Sequence, residues 1–458
     1  MNVNDVLSLT IEDVALGGKA LARHEGRVVF VDRGLPGDRV RARLVRMRRN
    51  FAEARLETFE SPAAERVPAR CPHVQQCGGC RFQDLAYEAQ CTLKERQLRE
   101  TLVHIGGFID PPVHPIVPAP ETFGYRNKME FSFHPGSDGT PLLGLHERGT
   151  FDRVFALETC LLTSPLTVDI VRLTQRHALE HAWSAYHPRL HRGVARYLVV
   201  RHLPHADQCA VHLVSASADL TGLETWARAI EALSPAVRTV TLQINRSRAN
   251  VATGEEERVL IGDGLVCERL LGLEFEASAG AFLQTNSRQA ESLYAAALEA
   301  AGLRGDETVL DLYCGTGTLT LVFARAARAA VGVESLPAAV EAARRNARRN
   351  GISNAGFVAG EARRVLREWS RGERPDPVRP GVVVVDPPRA GLHPRVVARV
   401  AELGPRTVVY ISCNPATLAR DLKDFAGLGY VLTAATPFDL FPHTPHIECV
   451  ARLEHRAA

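Results

Sequence analysis

From Thr308 to the C-terminus, short apolar runs alternate with segments of helical length, and this alternation constrains the fold more than any other feature of the chain. Strands are expected over 309–312, 330–334, 356–359, 381–386 and 407–412, with a helix over 336–350 closed by Gly351. Apolar strands interleaved with helices imply a doubly wound parallel sheet covered on both faces. Ligands of such sheets bind beyond the C-terminal ends of the strands. Asp311, Glu334, Asp386 and Cys413 each fall at or just after an expected strand end. Chemistry is expected along that edge.

The 458 residues exceed one ordinary core, and a hydrophobic share of 45% supports several packed domains. Three are expected: 1–60, 70–255 and 256–458. In the first, short strands punctuated by Gly17-Gly18 and Pro36-Gly37 suit a small OB-type β-barrel, a fold that often binds nucleic acid. Over 39–44 arginines alternate with apolar residues, so Arg39, Arg41 and Arg43 share one face. After a linker over 61–70, a helix is expected over 87–104 and an extended proline-rich stretch over 111–120. The rest of the middle reads as α+β, with a helix over 221–233 capped by Thr221 and a strand over 239–245. The net charge of +3 is too mild to indicate nucleic acid by itself. No run approaches the roughly 18–20 apolar residues of a membrane span, and the N-terminus lacks the pattern of a signal peptide. A cytoplasmic protein is expected, away from membranes and with no protein partner implied.

In that compartment the ten cysteines are expected as ligands, catalysts or buried thiols rather than disulfides. Cys71, Cys77 and Cys80 follow a C-x5-C-x2-C spacing around Gly78-Gly79. Cys160 is the best fourth ligand, with Cys91 and His73 as competitors. Four thiolates suit zinc or an iron–sulfur cluster, and spacing does not choose between them. Downstream, Gly315 and Gly317 allow a ligand close to the backbone, and Glu334 can accept hydrogen bonds from ribose hydroxyls. The same placement fits NAD proteins, but Leu319 or Thr320 stands where a dinucleotide fingerprint has its third glycine, and a cofactor without a pyrophosphate does not need that loop. Cys413 sits on a strand-to-helix turn, where a thiolate is favoured, and Glu448 supplies a carboxylate base. A nucleophile, a cofactor loop and a base suggest covalent group transfer.

Together these segments resemble the RNA uracil-5-methyltransferase family. Ser412-Cys413-Asn414-Pro415 and the residues up to Asp421 look like its nucleophile motif. Asp386-Pro387-Pro388-Arg389-Ala390-Gly391 looks like its cofactor-and-substrate motif, and 441–448 like its terminal base motif. Phe282-Leu283-Gln284-Thr285-Asn286 and Tyr125-Arg126-Asn127-Lys128 are similar to two further elements. The resemblance implies a multidomain α/β protein. Its parts would be an OB-type TRAM barrel, an α+β central domain holding a [4Fe-4S] cluster on Cys71, Cys77, Cys80 and Cys160, and a C-terminal Rossmann-like S-adenosylmethionine-dependent methyltransferase domain. It implies catalysis by Cys413, Glu448 and Asp386. It also implies cofactor contacts from Gln284, Tyr313, Gly315, Thr318, Glu334, Glu361 and Asp386. Glu361 and Thr318 stand where the family often has an amide and an asparagine. Having both TRAM and cluster resembles the branch acting on 23S ribosomal RNA, with tRNA as the alternative substrate. Arg126 and Lys128 are RNA-contact candidates, as are the barrel arginines.

Two other readings compete. RNA cytosine-5-methylation also uses a cysteine, but in a Pro-Cys element, whereas here Cys413 precedes Asn-Pro. A redox-sensing RNA-binding protein would have no use for Cys413, Asp386 and Glu448 together.

Overall fold

The computed structural model describes residues 1–374 and 378–456. Its first five strands are β1 (Val6–Val14), β2 (Ala20–His24), β3 (Arg27–Val31), β4 (Arg39–Met47) and β5 (Phe51–Ser61). They close into a barrel in the order β1-β2-β3-β5-β4. Ala20, Ala22, Ala42 and Ala52 alternate with Leu9, Val29 and Leu44 inside, small beside large, as a narrow lumen requires. Arg39, Arg41 and Arg43 do share the outer face of β4. That face is not a bare basic strip, however, because β5 sets glutamates against it. Arg43 pairs with Glu57 at 2.6 Å, and Arg46 lies 3.7 Å from Glu53.

Helix α1 spans Tyr87–His104. Sequence placed it, with the proline-rich stretch, in the central region. Both instead pack against the C-terminal sheet. Leu98 and Leu102 enter that core, and Val113 and Val117 bridge in parallel to Ala435 and Phe438.

The central sheet uses β6 (Lys128–Pro135), β7 (Pro141–His146), β8 (Val154–Ala156), β9 (Ala195–Leu203), β10 (Gln208–Ser215), β11 (Val237–Ile244) and β12 (Glu256–Ile261). Their order is β12-β11-β10-β9-β6-β7-β8, so this sheet runs past residue 255 to Ile261. Helices α2 (Pro165–Glu180) and α3 (Leu223–Glu231) bury Ile170, Val171 and Trp226 against it. Thr221 does not cap α3: the cap is Gly222 in a left-handed conformation, and the Thr221 carbonyl accepts from Trp183 Nε1 instead.

After a hairpin of β13 (Val266–Leu270) and β14 (Leu273–Ala277) comes α4 (Ser287–Ala301). The α/β alternation follows: β15 (Thr308–Leu312), α5 (Thr318–Ala324), β16 (Ala329–Glu334), α6 (Pro337–Arg349), β17 (Ala355–Ala359), α7 (Ala362–Ser370), β18 (Val382–Val385), α8 (Pro394–Leu403), β19 (Thr407–Ser412), α9 (Pro415–Gly427), β20 (Tyr430–Phe438) and β21 (Glu448–His455). The sheet order is β17-β16-β15-β18-β19-β21-β20. Within each strand, alternate residues serve opposite faces. Val382 and Val384 pack with α4 and α5, while Val383 and Val385 pack with α7 to α9. The strand order reverses between β15 and β18, which opens a crevice at their C-terminal ends.

Candidate active site

Cys413, Asp386 and Glu448 meet at that crevice. Strand β21 runs antiparallel to β19 with Ser412 opposite Cys449, so the next positions in register are Cys413 and Glu448. The antiparallel final strand thus returns a carboxylate from the far end of the chain to the nucleophile. Two motifs brace each other here. Asn414 Nδ2 donates to the Arg389 carbonyl at 3.0 Å, and Asp421 Oδ2 accepts from Leu392 N at 2.7 Å and Tyr410 Oη at 2.6 Å. Gly391 has φ +75°, and a Cβ there would lie 2.6 Å from Asp421 Oδ2, so the turn requires glycine.

These residues line a cavity of about 440 Å³, together with Gln284, Tyr313, Gly315, Thr318 and Glu334. Gly315 N donates to Glu334 Oε2 at 3.2 Å, which ties the loop after β15 to the end of β16. Gly317, at φ +84°, leaves no room for a Cβ, which would lie 2.9 Å from Ala343 Cβ. Glu361 stands outside the cavity lining, paired with Arg363, and adds to the burial that raises the Tyr313 phenol. Tyr294 also lines the cavity and belongs to none of the motifs. Its one signal in sequence is its place on the buried face of α4, beside Ala290, Leu293 and Ala297.

The electrostatics differ from expectation at the thiol. Burial, reinforced by Glu448 and Asp386, pushes Cys413 up to about 11, and Arg389 only partly offsets this. The favourable helix N-terminus loses to burial and then to two nearby carboxylates, so the resting group is the thiol and its proton needs an acceptor. Burial pushes Asp386 up to about 7. Glu448, 3% exposed, is raised well above the usual carboxylate range by burial and by Asp386, with Arg389 opposing.

The loop before Glu448 is held from outside. His443 N donates to Gln90 Oε1 at 2.9 Å, and the His443 carbonyl accepts from Arg81 N and Phe82 N. Lys94 Nζ donates to Asp439 Oδ1 at 2.6 Å and to the Phe441 carbonyl at 3.2 Å. Asn127 Nδ2 donates to the Gln284 carbonyl at 2.9 Å and to Ser287 Oγ at 2.7 Å, which fixes the loop entering α4.

A second cavity, of about 590 Å³, is lined by Cys71, Cys77, Cys80 and Cys160. Burial, then Cys160, Cys77 and Cys71, push the Cys80 thiol up to about 12. Cys91 lies away from it on α1 beside Tyr87, whereas His73, the other candidate, lines the same cavity with its ring against Phe155. Among the described residues, one ligand atom each from His177, Glu180 and His181 lies within 4.8 Å of the others, whereas the four thiols form no such close group. One ion draws its thiolates together, while a cluster of several irons spaces them apart. The four thiols line one cavity without closing to the spacing of a single ion.

The sequence profile of the tRNA (uracil-5-)-methyltransferases matches residues 207–456, and that of the TRAM domain residues 2–56. An RNA methyltransferase of Nitratidesulfovibrio vulgaris is 41% identical, over 98% of this chain and 96% of its own length. One from Chlorobaculum tepidum is 38% identical, over 98% and 96%. The chain belongs to the RNA uracil-5-methyltransferase family. Its fold extends the likeness. The crystal structure of the Pyrococcus abyssi tRNA (uracil-54, C5)-methyltransferase with S-adenosyl-L-homocysteine superposes with a TM-score of 0.78 at 28% identity, over 98% of this chain and 100% of that one. The protein is thus an S-adenosylmethionine-dependent RNA uracil-5-methyltransferase with an N-terminal TRAM barrel and a Rossmann-like C-terminal domain. Among the described residues, no helix is long and apolar enough to cross a membrane.

Proposed function

We propose that this enzyme methylates C5 of a uridine in tRNA through a covalent adduct on Cys413. One observation carries the chemistry: Cys413, Asp386 and Glu448 line one cavity with the loop of Gly315 and Glu334. Uracil C5 is too weak a nucleophile to take a methyl group unaided. Addition of Cys413 sulfur to C6 makes C5 carbanion-like. Asp386, poised near neutrality, takes the thiol proton in that step. S-adenosylmethionine supplies the methyl group, held by Gln284, Tyr313, Gly315, Thr318, Glu334 and Asp386, with Glu361 flanking Tyr313. Glu448 then removes the C5 proton, and elimination frees Cys413. To reach the thiol the target base leaves its stack. The barrel over 1–60 and the central domain deliver the RNA, and the C-terminal domain carries the chemistry.

The choice of tRNA follows the overall likeness to the Pyrococcus abyssi enzyme. TRAM combined with four cysteines favours 23S ribosomal RNA on sequence, and that is the second arm of the test. Cys71, Cys77, Cys80 and Cys160 hold a [4Fe-4S] cluster in this reading, as a staple of the fold. Labelled S-adenosylmethionine, unmodified tRNA and 23S RNA, and nucleoside analysis test the proposal together. 5-Methyluridine in tRNA supports it. The same product only in 23S RNA overturns the substrate, and 5-methylcytidine overturns the reaction.

A further inference from the structure

We infer that the central domain carries a second nucleobase subsite, which takes an unpaired RNA base by stacking. The inference rests on the RNA reading above and adds where else the strand is held. Three cavities lie in series. The reaction cavity and the cysteine cavity share Thr285, and the cysteine cavity shares Glu130, His146 and Thr150 with a third, of about 470 Å³. Arg126 and Lys128 lie on the middle stretch. In the reading above the cluster fills the cysteine cavity, so the strand runs over its rim, past Arg126 and Lys128, to an aromatic pocket.

The third cavity is rich in rings: Phe133, Phe151, Tyr186 and Tyr197 line it. Phe151, on the loop between β7 and β8, is 65% exposed, and the Arg189 guanidinium lies 5.3 Å from its ring centre. An exposed phenylalanine flanked by a cation is a stacking platform rather than a core residue. The opposite wall is firm. Arg196 lies 4.3 Å from the ring centre of Tyr186 and donates to the carbonyls of Asn245, Ser247 and Ala249, which holds the loop that brings Asn250 to the cavity. Glu130 on the rim is paired with Lys128 at 2.8 Å, so the pocket takes a base by stacking rather than by a free carboxylate.

Fluorescence anisotropy tests this with two RNAs: a full transcript of tRNA or 23S RNA, whichever the wild type binds tighter, and a short stem-loop holding only the target uridine. Phe151→Ala should weaken binding of the full transcript about tenfold, as loss of one stacked base does. Phe151→Trp should restore it, and the stem-loop should show no change. Equal affinity of wild type and Phe151→Ala for the full transcript would overturn the subsite, as would an equal loss on both RNAs, which marks a structural effect. Wild-type methyl transfer is followed on the same RNAs. Its absence would refute the proposed function, while the binding pattern still decides the subsite.

Discussion

At the residue scale, the site separates two proton transfers. The Cys413 thiol is pushed up to about 11 and Asp386 to about 7, while Glu448 is raised further by its neighbour. Glu448→Gln should let addition and methylation proceed and block elimination. Turnover should fall by about 10²–10⁴, and a protein–RNA adduct should persist in denaturing gels; no adduct would remove Glu448 from the role of base. Asp386 sets the pH dependence. As a protonated acid it cannot take the thiol proton, so kcat/KM should rise through about pH 7, and Asp386→Asn should erase that inflection. The sign for stability is opposite. A carboxyl raised from about 4 in the unfolded chain binds more protons when folded, so it costs stability progressively as pH rises from about 4 through 7. Asp386→Asn should therefore gain on the order of 1 kcal/mol at pH 8 while losing activity. Denaturant midpoints at pH 5 and pH 8 check this, and a gain equal at both would refute the cause.

At the element scale, α1 serves the active site without touching it. Its Lys94 pairs with Asp439 where both side chains are fully buried, and Gln90 on the same helix holds His443. Lys94→Ala would leave Asp439 charged and unpaired, a loss of about 3–5 kcal/mol. The double replacement Lys94→Met with Asp439→Leu should recover most of it, and urea unfolding of the three proteins measures the difference. None of this was legible from α1 itself. Its length was, because an 18-residue helix announces its ends, but a buried lysine reads as a surface residue until its partner, 345 positions away, is seen beside it. The α/β strands were legible for the opposite reason. Unbroken apolar runs such as Val382–Val385 can only be buried on both faces. Cys413, Asp386 and Glu448 were legible because strand ends and motifs mark them. Tyr294 was not, because a buried aromatic on a helix looks like core. The Cys413 titration was misread because the helix N-terminus is visible in sequence, whereas the burial of the thiol and the two carboxylates beside it are not.

At the scale of the whole molecule, the segment with Cys71, Cys77 and Cys80 touches every part. Arg66, just before it, pairs with Asp38 of the barrel at 2.6 Å and with Asp84 at 2.5 Å. Arg148 of the central domain donates to the Val74 and Cys80 carbonyls at 2.9 and 2.8 Å. Arg81 N and Phe82 N donate to the His443 carbonyl, five positions before Glu448, the proposed base. The Cys71, Cys80 and Cys160 thiols are raised, first by burial and then by their neighbours, and a bound group would draw the four cysteines together. Methyl transfer, by contrast, moves no net electrons. A cluster held there, as proposed, is therefore expected to act on activity through geometry alone. Removing iron with a chelator under oxidising conditions should lower the thermal midpoint and, in the same samples, abolish 5-methyluridine formation. Replacing Cys80 by serine should do both without any chelator. Reducing or oxidising the intact cluster, followed by its absorbance, should leave kcat unchanged. A rate that follows the oxidation state while the thermal midpoint stays constant would overturn the structural role and make this segment a redox switch on the loop that carries the base.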